Sequence, residues 1–217
     1  TTQSRTKLAN RRCEFLLHDA EFLAAWASIT DLKNVYPHDE LNRAWELVCL
    51  NQFHDIIPGS SIGEVYADAS RDYAQVENIA SKVRGSALSV IKSRTDADII
   101  IVNPTSFVRN DPVLLNTIPD GTTAMENADG KPLVTQEVSD GLLIDAGDIR
   151  PFSVSGLKLL GKQAAKISTD LIATPSRLEN RYVQVEFNSQ GDITRIYDKA
   201  NFRDIIPQGA IANHLQA

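Results

Sequence analysis

Cysteine, methionine and tryptophan are scarce in this 217-residue chain, at two, one and two copies. Two cysteines in a chain of this length cannot frame a disulfide-stapled fold. Cys13 and Cys49 both fall in apolar helical patterns and read as small buried hydrophobes, so a reducing compartment is expected. No run approaches the ~20 apolar residues needed to cross a bilayer, and no signal peptide opens the chain. The first residues, TTQSRTKLANRR, already have a helix-like pattern without an initiating Met, which is read as a natural N-terminus lying upstream. Positive charge is also in deficit: 22 Lys+Arg stand against 28 Asp+Glu, a net charge of −6. The densest basic cluster, Arg5, Lys7, Arg11 and Arg12, is soon followed by Glu14, Asp19 and Glu21. Nucleic acid is therefore excluded as the default partner, because phosphate binding needs a concentrated basic surface. Neither HxH, HExxH nor CxxC occurs, and there is no Walker A loop or GxGxxG.

What is present is ordinary for a soluble globular chain: 42% hydrophobic and 23% charged residues. The length suffices for one large domain or two small ones with a core of their own. The pattern changes near residue 95. Before it, apolar residues recur at helical spacing. A first helix is expected over Ser4 to Ile29, with Leu8, Phe15, Leu16, Phe22, Leu23, Trp26 and Ile29 forming a broad buried face. A second runs from about Asp39 to about Ile56, with Leu41, Trp45, Val48 and Phe53 near one side, and is stopped by Pro58-Gly59. Ser61 to Glu64 has the form of a capping box opening a third helix. Its stripe is Ile62, Val65, Ala69, Tyr73, Val76, Ala80, Val83, Ala87 and Val90.

After Arg94, short strands and turn signals take over. Asp98–Val102 reads as a strand ended by Asn103-Pro104, and Val113–Leu115 as another. A turn-rich stretch follows around Gly121 and Asp129-Gly130. Leu133–Val138 and Leu142–Ile144 flank Asp140-Gly141 as a hairpin. Tyr182–Phe187 alternates, with Val183, Val185 and Phe187 on one face, and turns through 188–192 into Ile193–Tyr197. The fold class expected is α+β: an antiparallel three-helix bundle over residues 1–95, then an incomplete antiparallel β-sandwich over residues 96–217.

Polar chemistry concentrates in Leu50-Asn51-Gln52-Phe53-His54-Asp55-Ile56-Ile57-Pro58-Gly59-Ser60-Ser61. Two readings compete. In one, Asn51, Gln52 and His54 decorate a helix end, where cationic His is favoured by ~0.3–1 kcal/mol, and Asp55 caps the next turn. In the other, His54 ligates a metal, since imidazole is a common zinc ligand and a helix C-terminus attracts cations. One histidine cannot hold zinc. His18, His38 and His214 have no ligand spacing to His54, so partners would lie elsewhere in a longer chain. Trp26 and Trp45 could stack on sugar but sit in amphipathic stripes that favour core packing.

The stretch LNQFHDIIPGSSIGEVYADA resembles the middle domain of glycoside hydrolase family 38 α-mannosidases, with its [NQ]-x-H-D-x-x-x-G-[ST] segment. TTQSRTKLANRRCEFLLHDAEFLAAWA is similar to the first helix of that domain. IIIVNPTSFVRNDPV resembles its next strand, and RLENRYVQVEFNSQGDITRIYDKANFRDII the opening of the large β-sandwich domain. The Gln-Phe-His-Asp and Pro-Gly-Ser-Ser variant is closer to the bacterial and cytosolic or vacuolar branch than to the Golgi branch. The resemblance implies a zinc-dependent retaining α-mannosidase acting on mannose-containing glycans, cytoplasmic or vacuolar, with no membrane or nucleic-acid partner. It assigns the metal-ligand role to His54 and a substrate contact to Asp55. The family's other zinc ligands, its nucleophile and its acid/base residue belong to an N-terminal barrel outside this sequence. No catalytic residue is therefore assigned here, and the isolated chain is expected to be inactive and zinc-free. Two other readings stand beside it: a stand-alone carbohydrate- or protein-binding module, and a structural piece with a degenerate site. Open strand edges add the expectation of a homo-oligomer.

Overall fold

The computed structural model describes residues 2–117, 124–160 and 170–213. The chain forms two compact units, Thr1–Ala164 and Ala165–Ala217. The architecture is α+β, with three helices followed by antiparallel sheets. No described helix is long and apolar enough to cross a membrane.

In the first unit the helices are α1 (Ser4–Thr30), α2 (His38–Asn51) and α3 (Gly63–Ser93). Each buries positions spaced alternately three and four apart: Thr6, Asn10, Cys13, Leu17, Ala20, Ala24 and Ala27 on α1, and Leu41, Ala44, Val48 and Asn51 on α2. On α3 they are Ala69, Tyr73, Val76, Ala80, Val83 and Ala87. This is a seam of the coiled-coil kind, lined largely by small side chains that let the helix axes approach. The seam departs from the face expected for α1. Leu8 (59%), Phe15 (63%) and Ile29 (78%) are exposed, whereas Cys13, Leu17 and Ala20 are sealed at 0%. Of the expected face, Leu23 is buried and Leu16, Phe22 and Trp26 pack against the cores, so the departure is confined to Leu8, Phe15 and Ile29. Trp45 does pack against the bundle core, and Trp26 against a second cluster at the far end of α1.

Three further expectations are corrected. Helix α2 stops at Asn51 rather than near Ile56, because hydrogen bonding tightens there: the Phe53 amide donates to the Leu50 carbonyl three residues back (3.2 Å). The capping box does not form. The N-cap of α3 is Ile62, so Ser61 lies one residue too early, and its amide donates to the Tyr66 hydroxyl (2.9 Å). Cys49 is exposed, on the outer side of α2.

Two three-stranded antiparallel sheets follow. One is ordered β1 (Ile99–Asn103), β6 (Ser153–Leu160), β3 (Ala124–Asn127); the other is β2 (Val113–Leu115), β5 (Gly141–Asp145), β4 (Val134–Val138). Met125 and Leu157 of the first meet Leu142 and Ile144 of the second in one buried cluster, a sandwich-like arrangement. Val138 pairs with Gly141 across the predicted hairpin. A side chain at Gly141 (φ 141) would collide with the Leu115 carbonyl, so only glycine fits. The turn at Asp129-Gly130 forms as expected, whereas the stretch around Gly121 lies outside the described residues. The first sheet also shares a core with the bundle. Ile100, Val102 and Val154 pack with Leu23, Ala27, Ala87 and Ile91.

The second unit is a five-stranded antiparallel sheet, in order β11 (Arg203–Asp204), β10 (Ile193–Asp198), β9 (Val183–Phe187), β8 (Arg177–Glu179), β7 (Ile172–Thr174). The predicted hairpin is β9–β10. All five residues of β9 are half-buried, so its alternation does not divide a buried face from a wet one.

The seam predicts a contrast between two leucines of α1. Leu17→Ala, at a sealed position, should destabilise the chain by about 2–5 kcal/mol. Leu8→Ala, on the outer face, should stay within about 0.5 kcal/mol. Urea unfolding of the two variants measures both.

Candidate functional site: the corner after the second helix

The seam ends in polar groups on the side where α2 stops. Asn51, the last residue of α2, is only 2% exposed. Its side-chain amide donates to the Leu47 carbonyl (2.9 Å) and to Asp72 Oδ2 of α3 (3.0 Å). The next residue, Gln52, donates through Nε2 to Glu14 Oε1 (2.7 Å) and Asn10 Oδ1 (3.1 Å) of α1. Asn10 Oδ1 also accepts the Tyr73 hydroxyl (3.2 Å), and Asn10 Nδ2 donates to Glu14 Oε1 (3.0 Å). Arg11 Nη1 lies 2.6 Å from the other Glu14 oxygen. Buried polar groups need such partners, since each one left unmatched costs about 1–3 kcal/mol. The network ties all three helices together at one level.

Beyond Gln52 the chain makes successive tight turns to Gly59. The Ile56 amide donates to the Phe53 carbonyl (2.9 Å), and the Gly59 amide to the Ile56 carbonyl (3.1 Å). Ile56 packs against the bundle core. The Tyr66 hydroxyl donates to the Ile56 carbonyl (3.3 Å), and Lys7 Nζ to the Pro58 carbonyl (3.3 Å). Gly59 (φ 99) sits where a Cβ would come within 2.9 Å of the Thr2 side chain, so the turn needs glycine for both conformation and space.

This corner presents His54 and Asp55 to solvent, with side chains 77% and 64% exposed. His54 Nε2 lies 3.5 Å from Asp55 Oδ2, and the His54 and Phe53 rings are 4.2 Å apart between centroids. His54 is three residues past the end of α2, beyond the last turn over which a helix dipole acts, which weakens the reading of it as a helix-end cation. The Asp55 carboxylate is turned toward the imidazole. The structure does not bring His18 or His38 here. His18 pairs with Asp19 (3.3 Å), and His38 lies beside Asp39 (3.7 Å) and Asn42 (3.2 Å). His214 lies outside the described residues. Among the described residues no three His, Cys, Asp or Glu side chains are grouped to hold a metal. The donor set at the corner is one imidazole and one carboxylate, which suits part of a zinc shell and not the whole of one.

Asn10, Glu14, Asp72 and Tyr73 were not anticipated from sequence as site-building residues. The signal was there in two of them: Asn10 and Tyr73 put polar groups into a largely apolar seam.

Burial raises the Tyr73 phenol from its ordinary 10.0 to about 12, reinforced by the thiol of Cys13 and the carboxylates of Glu14 and Asp72. Burial likewise raises the Cys13 thiol from 9.0 to about 11, with Glu77 adding to it. Both groups bind their protons more tightly folded than unfolded. The stability they confer is therefore complete below pH 9 and lost as the pH rises through 11 to 12. Denaturation midpoints measured from pH 8 upward should fall accordingly. Iodoacetamide at pH 8 should alkylate exposed Cys49 and spare Cys13, as read by mass spectrometry of the native chain.

Residues 1–91 match the family model described as the α-mannosidase middle domain. Alpha-mannosidase 2C1 of Mus musculus is 28% identical over 215 residues, covering 98% of this chain and 19% of the relative. Alpha-mannosidase of Saccharomyces cerevisiae is 34% identical over 102 residues, covering 46% of this chain and 9% of the relative. A solved α-mannosidase of Enterococcus faecalis V583 has the same fold over 94% of this chain and 29% of its own, with a TM-score of 0.71 at 18% identity. The chain thus spans about a fifth or less of the length of these curated relatives. The helical part thus matches the α-mannosidase middle domain, 98% of the chain aligns with an α-mannosidase, and its fold is shared with solved structures of an α-mannosidase and of a glycosyl hydrolase family 38 protein: the chain is similar to these proteins.

Proposed function

We propose that the full-length protein is a zinc-dependent retaining α-mannosidase that releases terminal α-D-mannosyl residues from glycans. In this reading the chain contributes one metal ligand, His54, and one substrate contact, Asp55. The observation that carries it is the corner itself: an imidazole and a carboxylate, 3.5 Å apart, both held out to solvent by backbone that is tied down on either side. Exposed, adjacent polar groups on a braced turn are placed to meet a site assembled with residues from elsewhere in the polypeptide.

Zinc, when bound, would supply charge that orients and polarises sugar hydroxyls. The work of this chain is narrower. His54 offers a neutral ring nitrogen, and Asp55 offers oxygen atoms that accept hydrogen bonds from mannose hydroxyls. Retaining chemistry further requires two carboxyl groups about 5–5.5 Å apart, one attacking the anomeric carbon and one moving the proton. We assign neither to this chain. Its two free cysteines, one of them exposed, suit a reducing compartment such as the cytoplasm.

Hydrolysis of an aryl α-mannoside by the full-length protein, with and without chelator, is the test. His54→Ala should strip the metal and lower kcat/KM by more than about 100-fold. Asp55→Asn should retain metal and lower kcat/KM by roughly 10–100-fold, the value of a charged hydrogen bond of about 1.5–3 kcal/mol. Full metal content and activity in His54→Ala would sink the proposal, as would turnover by the 217-residue chain alone.

A further inference from the structure

The polar network at the end of α2 does more than close the bundle. We infer that Gln52 and Asn51 are positioning residues for His54, with Glu14 and Asn10 of α1 and Asp72 of α3 as their anchors. The inference rests on the reading of His54 as a metal ligand and extends it to residues that touch neither metal nor substrate.

Three observations carry it. First, two consecutive side chains leave the same helix end toward different neighbours. Asn51 reaches Asp72 on α3 (3.0 Å), and Gln52 reaches Glu14 (2.7 Å) and Asn10 (3.1 Å) on α1. A helix end held from two sides can neither fray nor swing about its axis. Second, His54 follows Gln52 by two residues, a reach of at most ~7 Å along the backbone at ~3.3–3.6 Å per residue. His54 itself is exposed, and among the described residues its neighbours Phe53 and Asp55 lie against the ring. Its location is therefore set from behind, through Gln52.

Third, stability alone is a poor account of the network. A hydrogen bond of this kind contributes only ~0.5–1.5 kcal/mol net, and replacing buried polar partners by apolar ones of the same shape is often neutral. Five amides and carboxylates at the meeting point of three helices are a modest source of stability but a strong constraint on geometry. Geometry is what a shared metal shell demands, since misplacement of a group by ~1 Å can cost on the order of 100-fold in rate.

The experiment uses the full-length protein. Gln52→Met keeps the length and approximate volume of the side chain and deletes both N–H donors. Zinc affinity is measured by chelator competition, and amide exchange is followed in the peptide that spans residues 53–59. The expected result is a 10–100-fold loss of zinc affinity, the range seen when supporting groups around metal ligands are removed. Exchange at Phe53, Ile56 and Ile57 should accelerate, while exchange in the middle of α3 stays unchanged. Glu14→Gln removes the charged acceptor without changing shape. It should shift both readouts in the same direction by less, and it serves if Gln52→Met does not fold. His54→Ala is the control that separates the two ideas. If His54→Ala loses zinc while Gln52→Met binds it with unchanged affinity, the positioning role is wrong and the ligand role stands. If His54→Ala keeps its zinc, the ligand reading falls, and the positioning role falls with it.

Discussion

Close approach of three helices is the constraint on which the first unit depends. Alanine and cysteine at the inward positions of α1, facing Ala69, Ala80 and Ala87 of α3, leave little side-chain thickness between the backbones. Leu17, Leu41, Leu47, Val48 and Val76 fill what remains. Packing of this density rests on many weak dispersion contacts, each ~0.1–0.2 kcal/mol, and it tolerates neither voids nor added bulk. Once the axes are this close, the ends of the seam are fixed as well. At one end the polar network of Asn10, Asn51, Gln52 and Tyr73 meets the corner that bears His54. At the other, the seam runs into the first β-sheet.

The two chemistries of the seam divide the labour. Apolar positions hold the helices together without specifying how far one slides along another. Hydrogen bonds at the closed end are directional and have discrete partners, so they select one register. The neutral Tyr73 phenol and Cys13 thiol belong to the same layer, and both resist ionisation because the charged forms would be stranded away from water.

Much of this was legible in the sequence, and the failures have physical causes. The limits of α1, the strands β1 and β2 and the hairpins β4–β5 and β9–β10 follow from period and turn residues. The buried face of α1 follows only in part: Leu23 is buried as expected, but Leu8 and Phe15 outweigh Cys13 and Ala20 in any tally by hydrophobic bulk although they lie on the outer row. Strand β6 escaped notice although it is central in its sheet. Its sequence, SVSGLKLL, lacks alternation, and Gly156 is there because a Cβ would press within 2.8 Å of Ala97. His54 and Asp55 stood out through resemblance and through their unusual company. The supports that place them did not, because Asn10 and Glu14 lie some forty residues away, and only the folded seam brings them to Gln52.

The sharing of apolar side chains between bundle and sheet changes what counts as a module. A family boundary at residue 91 falls on Ile91, a member of the cluster that joins Leu23, Ala27 and Ala87 to Ile100, Val102 and Val154. Severing the chain there would leave the ends of α1 and α3 with a bare oily cap, a surface that invites self-association. Inheritance is counted by the three helices, but the apolar cluster at their ends is completed by strands that lie beyond that boundary.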